Sequence, residues 1–295
     1  MHPVPKPPRK GWHLKRPQGS AIIVALLAVA LVAGMASVAI NRAGAALDMA
    51  QGRQDHAQAR QLALSAIELA RLMLADDARN TRTDWHGELW AQPIRPSLHR
   101  DARVSLQIAD MTGHFDLNAL IGDGRPDSDA SSALIGLLQA LGADAGSASQ
   151  ATAAVHSHLR KHGLLPHIDA VRTINQLDPK LAEHLIRVAV ALPARARLNI
   201  NTAPAVVLAA SLPGLSHGEA VKLAQALRTV PAAKAAELAM LLPDGVRMPD
   251  IRHFDVRSDY FLADVVAVHG VATVQLQALL TRSDDIVHVA WIRLP

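Results

Sequence analysis

Residues 21–40 read AIIVALLAVALVAGMASVAI, twenty positions without a charge, a side-chain amide or a proline. A helix rises 1.5 Å per residue, so the run covers roughly 30 Å, the thickness of a bilayer's hydrocarbon core. Arg16 and Arg42 are the nearest charges on either side. Lys6, Arg9, Lys10, Lys15 and Arg16 all precede the run, which sets the N-terminus in the cytoplasm and the bulk of the chain on the far side. A cleavable secretory signal has an apolar region of only about 7–15 residues followed closely by a small-x-small site. Here the small residues are spread through the whole stretch, and Gly44-Ala45-Ala46 makes a poor site. The run reads as a membrane span.

The leader also explains the chain's charge. The formal net charge is +4, yet five of the 30 Lys and Arg lie before residue 20, leaving the remainder close to balance against 26 Asp and Glu. Of 295 residues, 50% are hydrophobic, 3% aromatic and 19% charged, and none is Cys. That composition is globular; it excludes a disordered tail, a collagen-like repeat, a disulfide-stapled miniprotein, thiol catalysis and Cys-ligated metal.

From Asn41 to about Asp77 the sequence has no proline and is rich in Ala, Leu, Gln and Arg, all good helix formers. Leu62, Ala66, Leu69, Ala70 and Met73 recur at spacings of three and four, with Arg60, Gln61, Glu68 and Arg71 off that stripe. Gly44 and Gly52 mark places where the helix can bend. The pattern predicts one long helix of roughly 55 residues, about 80 Å, whose outer half lays an apolar stripe on a head. Beyond it, strands are expected at Val104–Ile108, Tyr260–His269, Ala272–Leu280 and Ile286–Arg293, with turns at Gly270 and Arg282–Asp285. Residues 128–246 are instead Ala- and Leu-rich with helical patterning, broken at Gly142, Gly163, Pro166, Pro193, Pro213-Gly214 and Pro231. The expected fold is α+β: a long N-terminal helix on a small antiparallel sheet, with a large α-helical domain inserted into it. The divisions read from the sequence are 1–19, a basic leader; 20–41, the membrane helix; 42–127, the outer helix and first part of the head; 128–250, the insert; and 251–295, the last strands.

Three blocks carry a family resemblance. Lys15-Arg16-Pro17-Gln18-Gly19, set directly before Ser20-Ala21-Ile22-Ile23, resembles a prepilin peptidase site. Asp110-Met111-Thr112-Gly113-His114-Phe115-Asp116-Leu117-Asn118-Ala119-Leu120, following Trp90-Ala91 and a proline, resembles a D-x-x-G-x-F-N-L-N-x-L block. Leu192-Pro193 with Leu198-Asn199-Ile200-Asn201-Thr202-Ala203-Pro204 resembles an L-P … L-N-x-N-T-A block. Together, and in this order, they resemble the general secretion pathway protein K family, the K-type minor pseudopilins of type II secretion. Asp116 departs from the family pattern, which has Asn there.

The resemblance implies cleavage after Gly19 and N-methylation of Ser20. It also bears on Val24, the fifth residue of the mature chain. Most pilins and pseudopilins carry Glu at this place to neutralise the N-terminal amine of a neighbouring subunit, whereas K-type subunits typically lack it. A carboxylate at that depth is costly without a partner, so an apolar Val24 suits a subunit with no neighbour ahead of it. The implied role is the tip of the secretion filament, in the bacterial inner membrane with the head periplasmic. The implied partners are the I- and J-type minor pseudopilins, the H-type and major G-type subunits, and the prepilin peptidase.

Residues 199–228 also resemble a helix-hairpin-helix unit, with Thr202 capping the first helix, Pro213-Gly214-Leu215 as the hairpin and Glu219–Arg228 as the second helix. The competing function is therefore a membrane-anchored periplasmic DNA-binding protein. Phosphate contacts need Lys or Arg, and this segment offers Lys222 and Arg228 against Glu219, too little for a nucleic-acid partner. Asp123, Asp127 and Asp129 sit in a Gly- and Pro-containing loop with Arg125. Such oxygen-rich loops can bind calcium, and the resemblance implies the same, since calcium sites occur in pseudopilin heads including the K type; these three are the candidate calcium ligands, with an ordinary polar loop the favoured reading. His156, His158, His162 and His167 have spacing that suits zinc, but neighbouring Arg160 and Lys161 favour a solvated face. No G-x-S-x-G, H-E-x-x-H or phosphate-binding loop is present, and no catalytic residue is assigned.

Overall fold

The computed structural model describes residues 20–95, 97–99, 101–122 and 125–294. The leader through Gly19 lies outside the described residues, as does Asp123. Two compact units divide at Gln54/Asp55.

Helix α1 runs Ser20–Asn80 without interruption, 61 residues with helical geometry through both Gly44 and Gly52. In the first unit its side chains are uncovered: Ile22, Val24, Leu27, Leu31 and Met35 are all more than 60% exposed.

In the second unit the outer part of α1 packs on an antiparallel sheet of five strands, β1 (Ser97–His99), β2 (Ala102–Asp110), β3 (Tyr260–His269), β4 (Ala272–Ser283) and β5 (Ile286–Arg293), in that order. Strand β2 alternates buried and open residues along its whole length, the mark of a sheet with one face on a core. Val104, Leu106 and Ile108 meet Ala263, Val265, Ala267, Val274, Leu276, Ala278 and Leu280 beneath the helix. Trp90 closes this layer edge-on against Phe261, ring centroids 5.1 Å apart. The helix presents Ala59, Ala63, Ala66, Ile67, Ala70 and Leu74 to it. Alanines let a helix backbone approach a sheet closely, and they set the phase of the buried stripe. Leu69, expected on that stripe, is 42% exposed, whereas Ala66 and Ala70 are buried as expected.

Every neighbouring pair in the sheet is antiparallel and consecutive in the chain. The helical insert therefore takes the place of the turn between β2 and β3. The chain leaves at Asp110, paired with Phe261, and Met111 N–H donates to the Tyr260 carbonyl at 2.9 Å across the gap. The insert holds α2 (Ser128–Ala140), α3 (Ala145–His162), α4 (Pro179–Ile186), α5 (Ala205–Ser211) and α6 (His217–Thr229). Two short parallel pairings stitch it together, Phe115–Asp116 with Ala189–Val190 and Leu198–Asn199 with Phe254–Asp255.

The insert has two apolar centres. Leu134, Leu137, Val155, Leu159 and Leu185 join helices α2 to α4 around Phe115 and Leu117. Leu208, Leu212, Ala220, Leu223 and Leu227 join α5 and α6 around Phe254 and Val256. The α+β architecture expected from the sequence is the one found.

Candidate functional site

The two sequence blocks in the head meet where the insert joins the sheet, around buried Asp110. Its Oδ1 accepts the Thr112 N–H at 2.7 Å; its Oδ2 accepts the Ser258 hydroxyl at 2.6 Å and the Asn199 amide at 3.2 Å. The Thr202 hydroxyl donates to the same Oδ2. Asn199 reaches further, donating to the Asp84 carbonyl at 3.0 Å and to the Ser258 hydroxyl oxygen at 2.7 Å. One carboxylate thus gathers the outgoing strand, the middle of the insert and the returning chain. Thr202 does not cap α5: the helix begins at Ala205 after Pro204, which makes no side-chain cap. The hydroxyl is drawn instead to the buried charge of Asp110, a charge-assisted bond stronger than a neutral cap. Gly113 admits this contact, because a Cβ there would stand 2.5 Å from the Thr202 hydroxyl and 2.9 Å from its carbonyl carbon.

Next to this network lies a guanidinium with 2% exposure. Arg282 donates to Asp77 at 3.2 Å, to Asp84, and to the Ser258 carbonyl at 2.7 and 3.1 Å, and it stacks over Phe261 at 4.8 Å. Desolvation pushes the Asp84 carboxyl up to about 7, against the pull of Arg282; burial likewise raises Asp77 and Glu88.

The remaining block residues are also structural staples. Asn118 donates to the Leu165 and Leu192 carbonyls and accepts the Leu165 N–H, all at 2.9–3.0 Å. Asn201 exchanges a pair of bonds with the backbone of Ala232. Asp116 accepts from Asn118 and Leu192 N–H through Oδ1, while its buried Oδ2 has no partner. Burial drives its pKa up to about 7.

Asp127 and Asp129, read as calcium ligands with Asp123, take ordinary roles in the described structure. Asp127 caps α2 through the Asp129 and Ala130 N–H groups and binds Arg195 at 2.6 Å. Partial burial works against its ionisation, but the Ala130 N–H and Arg195 hold it below the usual carboxylate range. Asp129 is exposed. Among the described residues, which leave out Asp123, one group of three acidic side chains lies within reach of a shared cation, Asp77, Asp84 and Glu88.

The histidines do not form a zinc set. His156 meets the Ser131 hydroxyl at 2.8 Å, and His158 and His162 face each other at 4.8 Å.

In the hairpin, α6 starts at Ser216 with a reciprocal Ser216–Glu219 capping box. Gly214 at the tip has φ +92°, and a Cβ there would lie 3.5 Å from the Gly245 carbonyl oxygen. Arg247 N–H donates to the Pro213 carbonyl at 3.1 Å. Pro213, Gly214 and residues 216–218 of the hairpin are exposed. A cleft of about 810 Å³ opens beside it, lined by Asp116, Arg195, Arg197, Arg247 and Phe254 among others.

A helix that is apolar and uncovered at its start, then lays an alanine stripe on an antiparallel sheet, is a pilin-like fold. Its most apolar stretch has a mean hydropathy of 2.7 and meets the length and composition of a membrane span. Residues 198–250 match the family model described as type II secretion system protein K. Type II secretion system protein K of Pseudomonas aeruginosa is 31% identical over 131 residues, 42% of this chain and 39% of that relative's length. A chain in the crystal structure of the GspK–GspI–GspJ complex from the enterotoxigenic Escherichia coli type 2 secretion system superposes with a TM-score of 0.64 at 20% identity. That alignment covers 84% of this chain and 99% of the other. Residues 198–250 thus carry the mark of that family, and the chain shares the fold of the solved structure.

Proposed function

We propose that this protein caps the tip of a type II secretion filament, helps initiate its assembly, and so supports export of folded proteins across the outer membrane. Prepilin peptidase cuts after Gly19 and methylates Ser20. The segment Ser20–Ile40 spans the inner membrane as a single pass, N-terminus inside and head in the periplasm, until it enters the filament core. The solved relative is crystallised with GspI and GspJ, and I- and J-type subunits are taken as the direct partners here, with H-type and G-type subunits below them. The head acts by shape and packing rather than by catalysis.

The observation that carries the tip assignment is Val24. It is 61% exposed on an uncovered apolar helix and offers no carboxylate to a neighbour's amine. The insert between β2 and β3 supports the same placement, because that bulk is hard to accommodate in a packed shaft but not at an end.

The experiment is co-purification of the full chain with its I- and J-type partners, joined to a secretion assay in a deletion strain. A stable ternary complex and abolished secretion are expected. A chain that ignores both partners, with secretion intact after deletion, overturns the reading.

A further inference from the structure

We propose that the cleft between the two halves of the insert binds an extended peptide segment of another protein, one that alternates carboxylate and aliphatic side chains.

The cleft has the size and build of a ligand site. Its volume of about 810 Å³ falls within the roughly 300–1,000 Å³ typical of such sites. Small side chains form its apolar part, Ala130, Ala133 and Gly136 on α2 with Val207 and Ala210 on α5. The two helices touch there, since a Cβ on Gly136 would stand 3.8 Å from the Ala210 Cα. Residues 195–198 and 247–250 supply the more polar walls.

Both walls carry main chain that regular structure leaves open. Residues 193–197 and 246–250 lie in neither helix nor strand. The Arg247 N–H is taken by the Pro213 carbonyl, whereas Ala196 and Met248 make no main-chain hydrogen bond among the described residues. Unpaired main chain beside a cleft is what an extended peptide can pair with, as an added strand pairs with a sheet edge.

Charge selects the peptide's side chains. Arg195 binds Asp127, Arg197 binds Asp255 and Arg252 binds Asp250. A guanidinium has five N–H donors, so the exposed Arg195 and Arg197 keep donors for a second acceptor. Arg247 is exposed and has no acidic partner among the described residues. Of the acids in the lining, Asp127 and Asp250 are held in these pairs, and Asp129 lies exposed in the first turn of α2. Asp116 lines the same cleft, and its Oδ2 has no partner, which calls for an explanation. Burial raises this carboxyl to about 7, so below that pH it carries a proton, and a peptide carbonyl is the acceptor that proton lacks. The site stands whatever the chain's place in a filament.

Fluorescence anisotropy tests it, with a labelled peptide of alternating Glu and Val titrated with the full chain in detergent, against detergent alone. Saturable binding is expected. Gln in place of Glu in the peptide should weaken it by about tenfold or more, the worth of one charge-assisted hydrogen bond. Ser in place of Val should weaken it as well. Arg247→Gln should cost the same factor with an unchanged far-ultraviolet spectrum, because that side chain is exposed. Ser132→Trp, at an exposed position of α2 that lines the cleft, should block binding by filling it. No saturable binding by the folded chain overturns the proposal. So does binding that Arg247→Gln and Ser132→Trp leave intact, or equal binding of the Glu–Ser and Glu–Val peptides, since charge alone then carries it. Tighter binding of a duplex oligonucleotide than of the peptide overturns it too.

Discussion

Replacing Asp116 by Asn tests how the insert is held. The Asp116 carboxyl is raised from 3.8 to about 7, with burial the largest cause, and its Oδ2 is buried without a partner. The unfolded chain ionises this group near 3.8, while the folded chain keeps its proton up to about 7. Between those values the native state binds the extra proton, so stability is full below the lower value and is lost as pH rises through the higher one. Three units at about 1.4 kcal/mol each give roughly 4 kcal/mol of stability lost by pH 8.

Asn has the shape of the protonated acid and cannot ionise. Its Oδ1 can still accept from Asn118 and Leu192 N–H. The variant should match the parent near pH 4 and gain about 1.4 kcal/mol on it per pH unit between 5 and 7. Chemical denaturation of parent and variant, followed by tryptophan fluorescence across pH 4–8, gives that difference directly, and titrations common to both chains cancel. A difference that is flat with pH, or a variant less stable at pH 8, refutes the reasoning. The family block carries Asn at this place, which fits a backbone site that needs an acceptor but no charge.

Other outcomes follow from the neck of the insert and from the leader. Arg282→Met strands two buried carboxylates and should cost about 3–5 kcal/mol, read by denaturation in chelator. Gly113→Ala drives a Cβ into the Thr202 backbone and should destabilise by about 1–3 kcal/mol, with a lower thermal midpoint. Thr202→Val removes a donor from buried Asp110 and should cost about 1–3 kcal/mol by the same measure, whereas loss of a simple helix cap would cost about 1. Gly19→Leu should leave a full-length precursor on gels of cell membranes, while unchanged mobility would argue against processing there.

The elements that follow local rules were legible in the sequence. Strands β3 and β5 start and stop at the expected residues, because alternation and the Gly270 and Asp284 turns are local signals. Strand β4 runs three residues past its expected end, to Ser283, and carries Arg282 into the neck. The three-residue strand β1 gave no signal, being too short for a period to register. The phase of the α1 stripe was blurred because alanine is apolar enough to be buried yet common on open faces. Ala59 and Ala63 are wholly buried, while the larger Leu69 looks outward.

The neck was the least legible part. Asp84, Asp110, Asn199, Ser258 and Arg282 are scattered over nearly two hundred positions and become one network only after the strands pair. Thr202 shows why: its sequence neighbours announce a helix cap, and its buried partner, Asp110, lies 92 residues away. The motif blocks marked the right residues as a family signature. Their physical work, as backbone staples and a shared buried acceptor, emerged only from the fold.

The central claim is that the apolar helix becomes the mature N-terminus of a filament subunit. Mass spectrometry of the protein isolated from cells that make the whole secretion system tests it most directly. The account predicts an N-terminal peptide beginning with methylated Ser20 and no trace of residues 1–19. A mature chain that retains Met1, or one cut beyond the span, for instance after Ala46, contradicts it.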